Sequence, residues 1–164
     1  MTLLNVVLES PELTIDVKNF AIGGVGDLCL NCEIEFFEFL DKTMDSLIQA
    51  GVMSLKLNFQ DCSEEERRNF IGLRTSLCEA FISIINGIKS PSDEDKKRTN
   101  ADRIREHILN MFYYIESMLQ DDDLDVTPEL AVKVMDLYCD INHLSDNADS
   151  LNDPNEKLQA QKFT

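Results

Sequence analysis

A few residues in this chain have types and spacings that could do chemistry. Cys29 and Cys32 form a C-x-x-C pair, the spacing of a redox dithiol or of half a zinc site. No second Cys or His pair stands at ligand spacing, and the pair falls inside a helical pattern, so packing is the better reading. Gly23, Gly24 and Gly26 cluster as in a phosphate-cradling loop, but no strand precedes them and no Lys-Ser/Thr follows. That nucleotide reading is rejected. His107 and His143 lie 36 residues apart with no Ser or Cys in a nucleophile pattern, so no nucleophile, base and orienter can be assembled. The expectation is a protein that is not an enzyme and needs neither cofactor nor metal.

The remaining chemistry is acidic. Asp27, Glu79 and Asp136 stand 52 and 57 residues apart, at equivalent-looking places in three amphipathic segments, 16–31, 73–86 and 129–144. A helix pair repeated at that interval cannot bury its apolar face alone and must stack on neighbours, as in a solenoid. The acids have two readings that the residues leave open. They could make capping or inter-helix hydrogen bonds that recur because the fold recurs, or they could touch a partner.

The 164 residues carry a formal net charge of −16. Phosphate contacts need clustered Lys and Arg, so direct nucleic-acid binding is disfavoured, whereas an acidic face steers basic partners toward it. The charge is uneven. Residues 1–66 hold 13 acids and 3 bases, residues 120–153 hold 10 acids against Lys133 alone, and residues 67–105 hold 9 bases and 5 acids. The start lacks a basic signal-peptide region and no apolar run is long enough to span a bilayer, which implies a cytosolic or nuclear home. The five cysteines are then expected to be reduced and mostly buried.

The elements that must position these groups are all helical. Residues 1–9 read as a short opening helix or the end of one, broken at Ser10-Pro11, with Pro11 suited to the first turn of the next. The helix over about 12–32 places Val17, Ala21, Gly24, Leu28 and Cys32 on one stripe, and its glycines imply close approach of a neighbouring backbone. A second helix over about 34–50 carries Phe36/Phe37, Leu40, Met44 and Leu47/Ile48, and Gly51 stops it. Residues 51–63 read as irregular, with a brief alternation over 54–59. Ser63 then caps a helix over 64–88 with Glu64-Glu65-Glu66 in its first turn. Its stripe is Phe70, Leu73, Leu77, Phe81, Ile84 and Ile88, with Thr75, Glu79, Ser83 and Asn86 facing away. Residues 90–100 are polar and read as a flexible surface loop. A helix over 101–119, buried through Ile104, Ile108, Met111/Phe112, Ile115 and Met118/Leu119, and one over 128–145, buried through Leu130, Val134, Leu137, Ile141 and Leu144, follow, separated by Asp121-Asp122-Asp123 and restarted by Thr127-Pro128. Residues 146–164 form a polar acidic tail, with at most a short helix near 156–162. The fold class is all-α, a superhelical solenoid of about three antiparallel helix pairs over 1–145.

Residues 21–29 (Ala-Ile-Gly-Gly-Val-Gly-Asp-Leu-Cys) resemble the second helix of a HEAT repeat. The stretches 35–50 and 73–89 are similar, in order, to consecutive repeats in the C-terminal region of importin-β, a receptor of the karyopherin-β family. The resemblance covers roughly residues 15–145. It implies outer A helices and inner B helices, the latter being 12–32, 64–88 and 128–145. It also implies a nuclear import receptor that binds basic cargo, or the basic helix of the adaptor importin-α, through an acidic inner surface. Release would be controlled by Ran-GTP, and Phe-Gly nucleoporins would enter grooves between outer helices. The partner-binding residues it implies are Asp27, Asn31, Thr75, Glu79, Asn86, Asp136 and Asp140, in the cytoplasm, the nucleus and the nuclear pore. For Phe36, Phe39, Tyr113 and Tyr114 core packing is the leading reading and a Phe-Gly groove the lesser one. The chain has no tryptophan, which the family uses on its inner face. The alternative function is a HEAT scaffold subunit of a non-transport complex, of phosphatase or chromosome-associated type. A three-repeat piece without caps is also expected to expose apolar end faces and to self-associate.

Overall fold

The computed structural model describes residues 3–10, 12–56, 62–89, 94–120 and 127–146. Within them are α1 (Leu3–Glu9), α2 (Ile15–Phe36), α3 (Leu40–Leu55), α4 (Glu64–Lys89), α5 (Glu94–Leu119) and α6 (Pro128–Asp146). No strand occurs among the described residues, so the chain is an all-α helical repeat. The pairs α1/α2, α3/α4 and α5/α6 each pack together. The even-numbered helices stack side by side as one layer (α2 on α4, α4 on α6), and the odd-numbered ones as the other (α1 on α3, α3 on α5).

Two of the helix starts are written plainly in the chain. Ser63 and Glu66 form a reciprocal capping box: the Ser63 amide donates to Glu66 Oε2 at 2.9 Å and the Glu66 amide to Ser63 Oγ at 3.3 Å. The Ser63 amide and, at 2.8 Å, the Ser63 hydroxyl both donate to the Glu66 carboxylate and hold it below its usual range. Thr127 caps α6 through the Leu130 amide at 3.2 Å, with Pro128 in the first turn. The stripe Leu130, Val134, Leu137, Ile141 and Leu144 is buried as expected.

The even-numbered helices run parallel. Asn19 meets Gly72, Gly26 meets Ala80 and Ser83, and Cys29 meets Gly87. Rising numbers on both helices fix the direction. Gly26 and Gly87 let the two backbones close, since a Cβ at Gly87 would lie 2.8 Å from Cys29 Sγ. Between α3 and α5 the same direction holds, because Asp41 meets Arg103 and Gly51 meets Tyr114 further along both helices.

Several expectations are corrected. Pro11 does not open a helix: residues 12–13 form a turn and α2 begins at Ile15 after the extended Thr14. The buried stripe of α2 is Ile22, Val25 and Cys29, while Val17 and Leu28 are exposed. Gly51 does not stop α3. It lies inside the helix under the Tyr114 ring, where a Cβ would meet ring carbons at 3.3 Å, and the helix runs on to Leu55. The expected loop 90–100 is helical from Glu94, for acids in a first turn complement the helix dipole and the Lys and Arg that follow are good helix formers. Residues 90–93, the 57–59 end of the brief alternation, Asp121–Asp123 and the tail beyond Asp146 lie outside the described residues.

The glycines give opposite expectations for one substitution. Gly23→Ala, with open space around it, raises stability by about 0.5–1 kcal/mol through helix propensity. Gly87→Ala lowers it by about 1–3 kcal/mol by overpacking against Cys29, and the loss shrinks in a Cys29→Ala background. Urea unfolding of the four variants measures both signs.

Candidate functional site

The acidic residues lie on the even-numbered layer, and the α4–α6 seam brings most of them together. Lys133 Nζ pairs with Glu79 Oε1 at 3.0 Å, both side chains partly exposed. Two turns along, Asn86 Nδ2 donates to Asp140 Oδ2 at 3.4 Å. Both contacts join residues 54 apart, so α4 and α6 lie in one parallel register. Glu79 is therefore level with Lys133, and Asp136 sits about 4.5 Å further along α6 at 1.5 Å per residue. Asp27 follows Gly26, which meets Ala80 and Ser83, so it too is displaced from Glu79. Asp27 and Asp136 are thus displaced in the same direction, both roughly level with Ser83 of α4, and Glu79 sits about one turn behind them.

Lys133 was not among the candidates, although its isolation among ten acids in residues 120–153 was the signal that could have found it. Its ammonium is held above its usual range first by the hydrogen bond it donates to Glu79, with the charges of Glu79, Asp136 and Glu129 adding. The pair is exposed enough that its worth is about 0.2–1 kcal/mol. For Glu79 and Asp140 the inter-helix reading therefore has a physical basis, while Asp27 and Asp136 carry exposed carboxylates.

The remaining candidates divide. Asn31 is exposed and donates to the Asp27 carbonyl at 2.7 Å along its own helix. Thr75 does not lie on the exposed ridge. It is 8% exposed and its hydroxyl donates to the Ile71 carbonyl at 3.0 Å. Helix α4 is the central element, packed by α2, α3, α5 and α6, so even its polar stripe carries small residues that enter the seams.

The aromatic candidates also separate. Phe36 and Tyr114 are core, whereas Phe39 and Tyr113 are exposed. Phe39 precedes α3, while Tyr113 is next to the residue that covers Gly51, so the two stand roughly 18 Å apart along the α3–α5 direction at 1.5 Å per residue. They do not line one groove.

The cysteines are all free thiols. Burial pushes the Cys29 thiol up to about 12, with the charge of Cys32 adding, and burial likewise pushes Cys78 up to about 12, with Glu79 adding. Cys139 is exposed. Among the described residues no group of three or more His, Cys, Asp or Glu is placed to hold a metal ion. No helix among them is long and apolar enough to cross a membrane.

A family model described as importin subunit beta-1-like, TPR repeats, matches residues 1–152. No curated protein and no solved structure gives a significant match.

The thiol environments set an order of reactivity. With iodoacetamide at neutral pH, Cys139 is alkylated first, while Cys29 and Cys78 react only after unfolding, because the thiolate is the nucleophile. Peptide mapping by mass spectrometry reads the order, and a Cys29–Cys32 disulfide formed under mild oxidant would contradict the packing role of Cys29.

Proposed function

Since the chain belongs to the importin subunit beta-1-like repeat family, we propose that it is a HEAT-repeat segment of a nuclear import receptor and binds a basic helix of cargo or of importin-α. The observation that carries this reading is the row of carboxylates at Asp27, Glu79, Asp136 and Asp140 on the even-numbered layer of a chain with net charge −16. A basic helix laid across the three parallel helices meets Asp27 and Asp136 at one height, with Glu79 about a turn behind them on the helix between. Individual exposed pairs are weak, so affinity is a sum over many of them. The segment acts by binding and not by catalysis.

The family also supports Ran-GTP as the releasing partner, passage between cytoplasm and nucleus through the pore, and Phe-Gly nucleoporins as transient partners. Exposed Phe39 and Tyr113 are the two aromatics of the odd-numbered layer open to such contacts, at separate places.

A labelled basic helical peptide from the adaptor tests the reading by fluorescence anisotropy at low and moderate salt. Binding is expected to weaken as salt rises. Asp27→Asn and Asp136→Asn each cost about 0.2–1 kcal/mol, up to about fivefold in Kd. Glu106→Gln on the odd-numbered layer leaves affinity unchanged. Loss of the bound peptide on adding Ran-GTP supports transport, and indifference to it favours a static scaffold. Absence of binding at low salt rejects the basic-partner reading.

A further inference from the structure

We propose that Lys133 is an internal competitor for the carboxylate row, keeping Glu79 out of use until a cationic side chain of the partner displaces it. The inference rests on the basic-partner reading and adds a latch to the same surface. Lys133 is the single Lys or Arg of residues 120–153, against ten acids. Its ammonium lies 3.0 Å from Glu79 Oε1, across the seam between α6 and α4. Asp136 stands three residues further along α6 and Glu129 four residues back, both exposed. Those spacings put both acids on the face of α6 that carries Lys133. All three carboxylates favour the charged ammonium, the contact with Glu79 most.

The two contacts across this seam differ in what they do to charge. Asn86 reaches Asp140 with a neutral amide, whereas Lys133 brings a full positive charge to Glu79. A carboxylate already paired with an ammonium presents little net charge to an approaching Lys or Arg, and one of its oxygens is taken. Asp27, Glu79 and Asp136 stand on three adjacent helices, so the free chain silences the central one.

Displacing Lys133 costs little. The Lys133 and Glu79 side chains are 32% and 47% exposed, so one cation exchanges for another close to water. The ammonium rides on a flexible four-carbon stem. Glu129 waits one turn back, and an acid four residues N-terminal to a lysine is the favoured order for a pair along a helix. Lys133 therefore moves to Glu129 as the partner takes Glu79, and every charge stays paired. Glu129 lies on the side of Lys133 away from Asp136, so the move also carries the cation away from the level of Asp27 and Asp136.

Lys133→Met keeps the apolar stem and removes the charge at a partly exposed position. The labelled importin-α peptide is titrated at low salt into the wild-type chain, Lys133→Met, Glu79→Gln and the double variant. A fifth chain, Lys42→Met, loses an exposed charge from α3 on the other layer and controls for net charge. Lys133→Met is expected to tighten Kd about two- to fivefold, the worth of one exposed ion pair. Lys42→Met is expected to stay near wild type. The gain from Lys133→Met is expected to shrink when Glu79 is already glutamine, because no silenced carboxylate is left to release. Equal affinity of Lys133→Met and wild type overturns the latch. So does a gain that persists in full without Glu79, or one that Lys42→Met matches. A peptide that binds neither wild type nor Lys133→Met removes the basic-partner reading and the latch together, whereas one that binds both alike removes the latch alone.

Discussion

Two guanidinium groups close helix ends that have no glycine to close them. The last carbonyls of a helix lack partners within it, and a left-handed glycine commonly supplies the turn that satisfies them. Here both α2 and α3 end in right-handed residues, Phe37 and Lys56. Arg103 of α5 donates to the Phe37 carbonyl at 2.7 Å and grips Asp41 with two bonds of 3.1 and 2.9 Å. Arg74 of α4, fully buried, donates to the Ser54 carbonyl at 2.9 Å. Ser54 Oγ in turn bonds the Gly51 carbonyl and lies 3.3 Å from the Tyr114 hydroxyl. A cation at a helix C-terminus is also favoured by the dipole. Arg74 thus ties the end of α3 to its own pair partner α4, and Arg103 ties the end of α2 and the start of α3 to α5, joining one helix pair to the others.

The Arg74 junction explains the layout of the centre. Tyr114 reaches Ser54 because Gly51 presents no side chain beneath its ring, and burial raises the Tyr114 hydroxyl above its usual range so that it stays a neutral hydrogen-bonding group. Helix α4 is held on four sides and keeps its small residues for the seams. With α4 fixed, α2 and α6 lie parallel to it on either side. That parallel order decides which acids pair across a seam and which stand free to meet something else.

Helix existence, two N-caps and the stripes of α4, α5 and α6 were legible because a helix packed on one main face has a single periodic signal. α2 was harder, since Val17, Phe20, Leu28 and Leu30 give it apolar residues outside the buried stripe and periodicity alone cannot choose among faces. Gly51 reads as a stop because glycine at a helix end and glycine under an aromatic ring look identical in a sequence. Thr75 reads as a surface residue if α4 has one buried side, but α2 and α6 flank it as well as α3 and α5, which leaves only a narrow exposed strip carrying Glu79 and Asn86. Glu79 falls out of step with Asp27 and Asp136 for a metric reason. A shift of three residues is invisible to counting across loops, yet it amounts to most of a helical turn.

The basic middle of the chain has a further consequence. Arg74 and Arg103, from that stretch, bond backbone carbonyls, Arg105 pairs with Asp102 at 2.6 Å, and the isolated Lys133 is engaged by Glu79. Cations that a composition counts as compensating charge are thus committed to internal bonds. A mobile basic partner cannot be replaced by these groups, because moving Arg74 or Arg103 would strip the carbonyls at the ends of α3 and α2. The fold keeps these cations for its helix ends and leaves carboxylates such as Asp27 and Asp136 exposed.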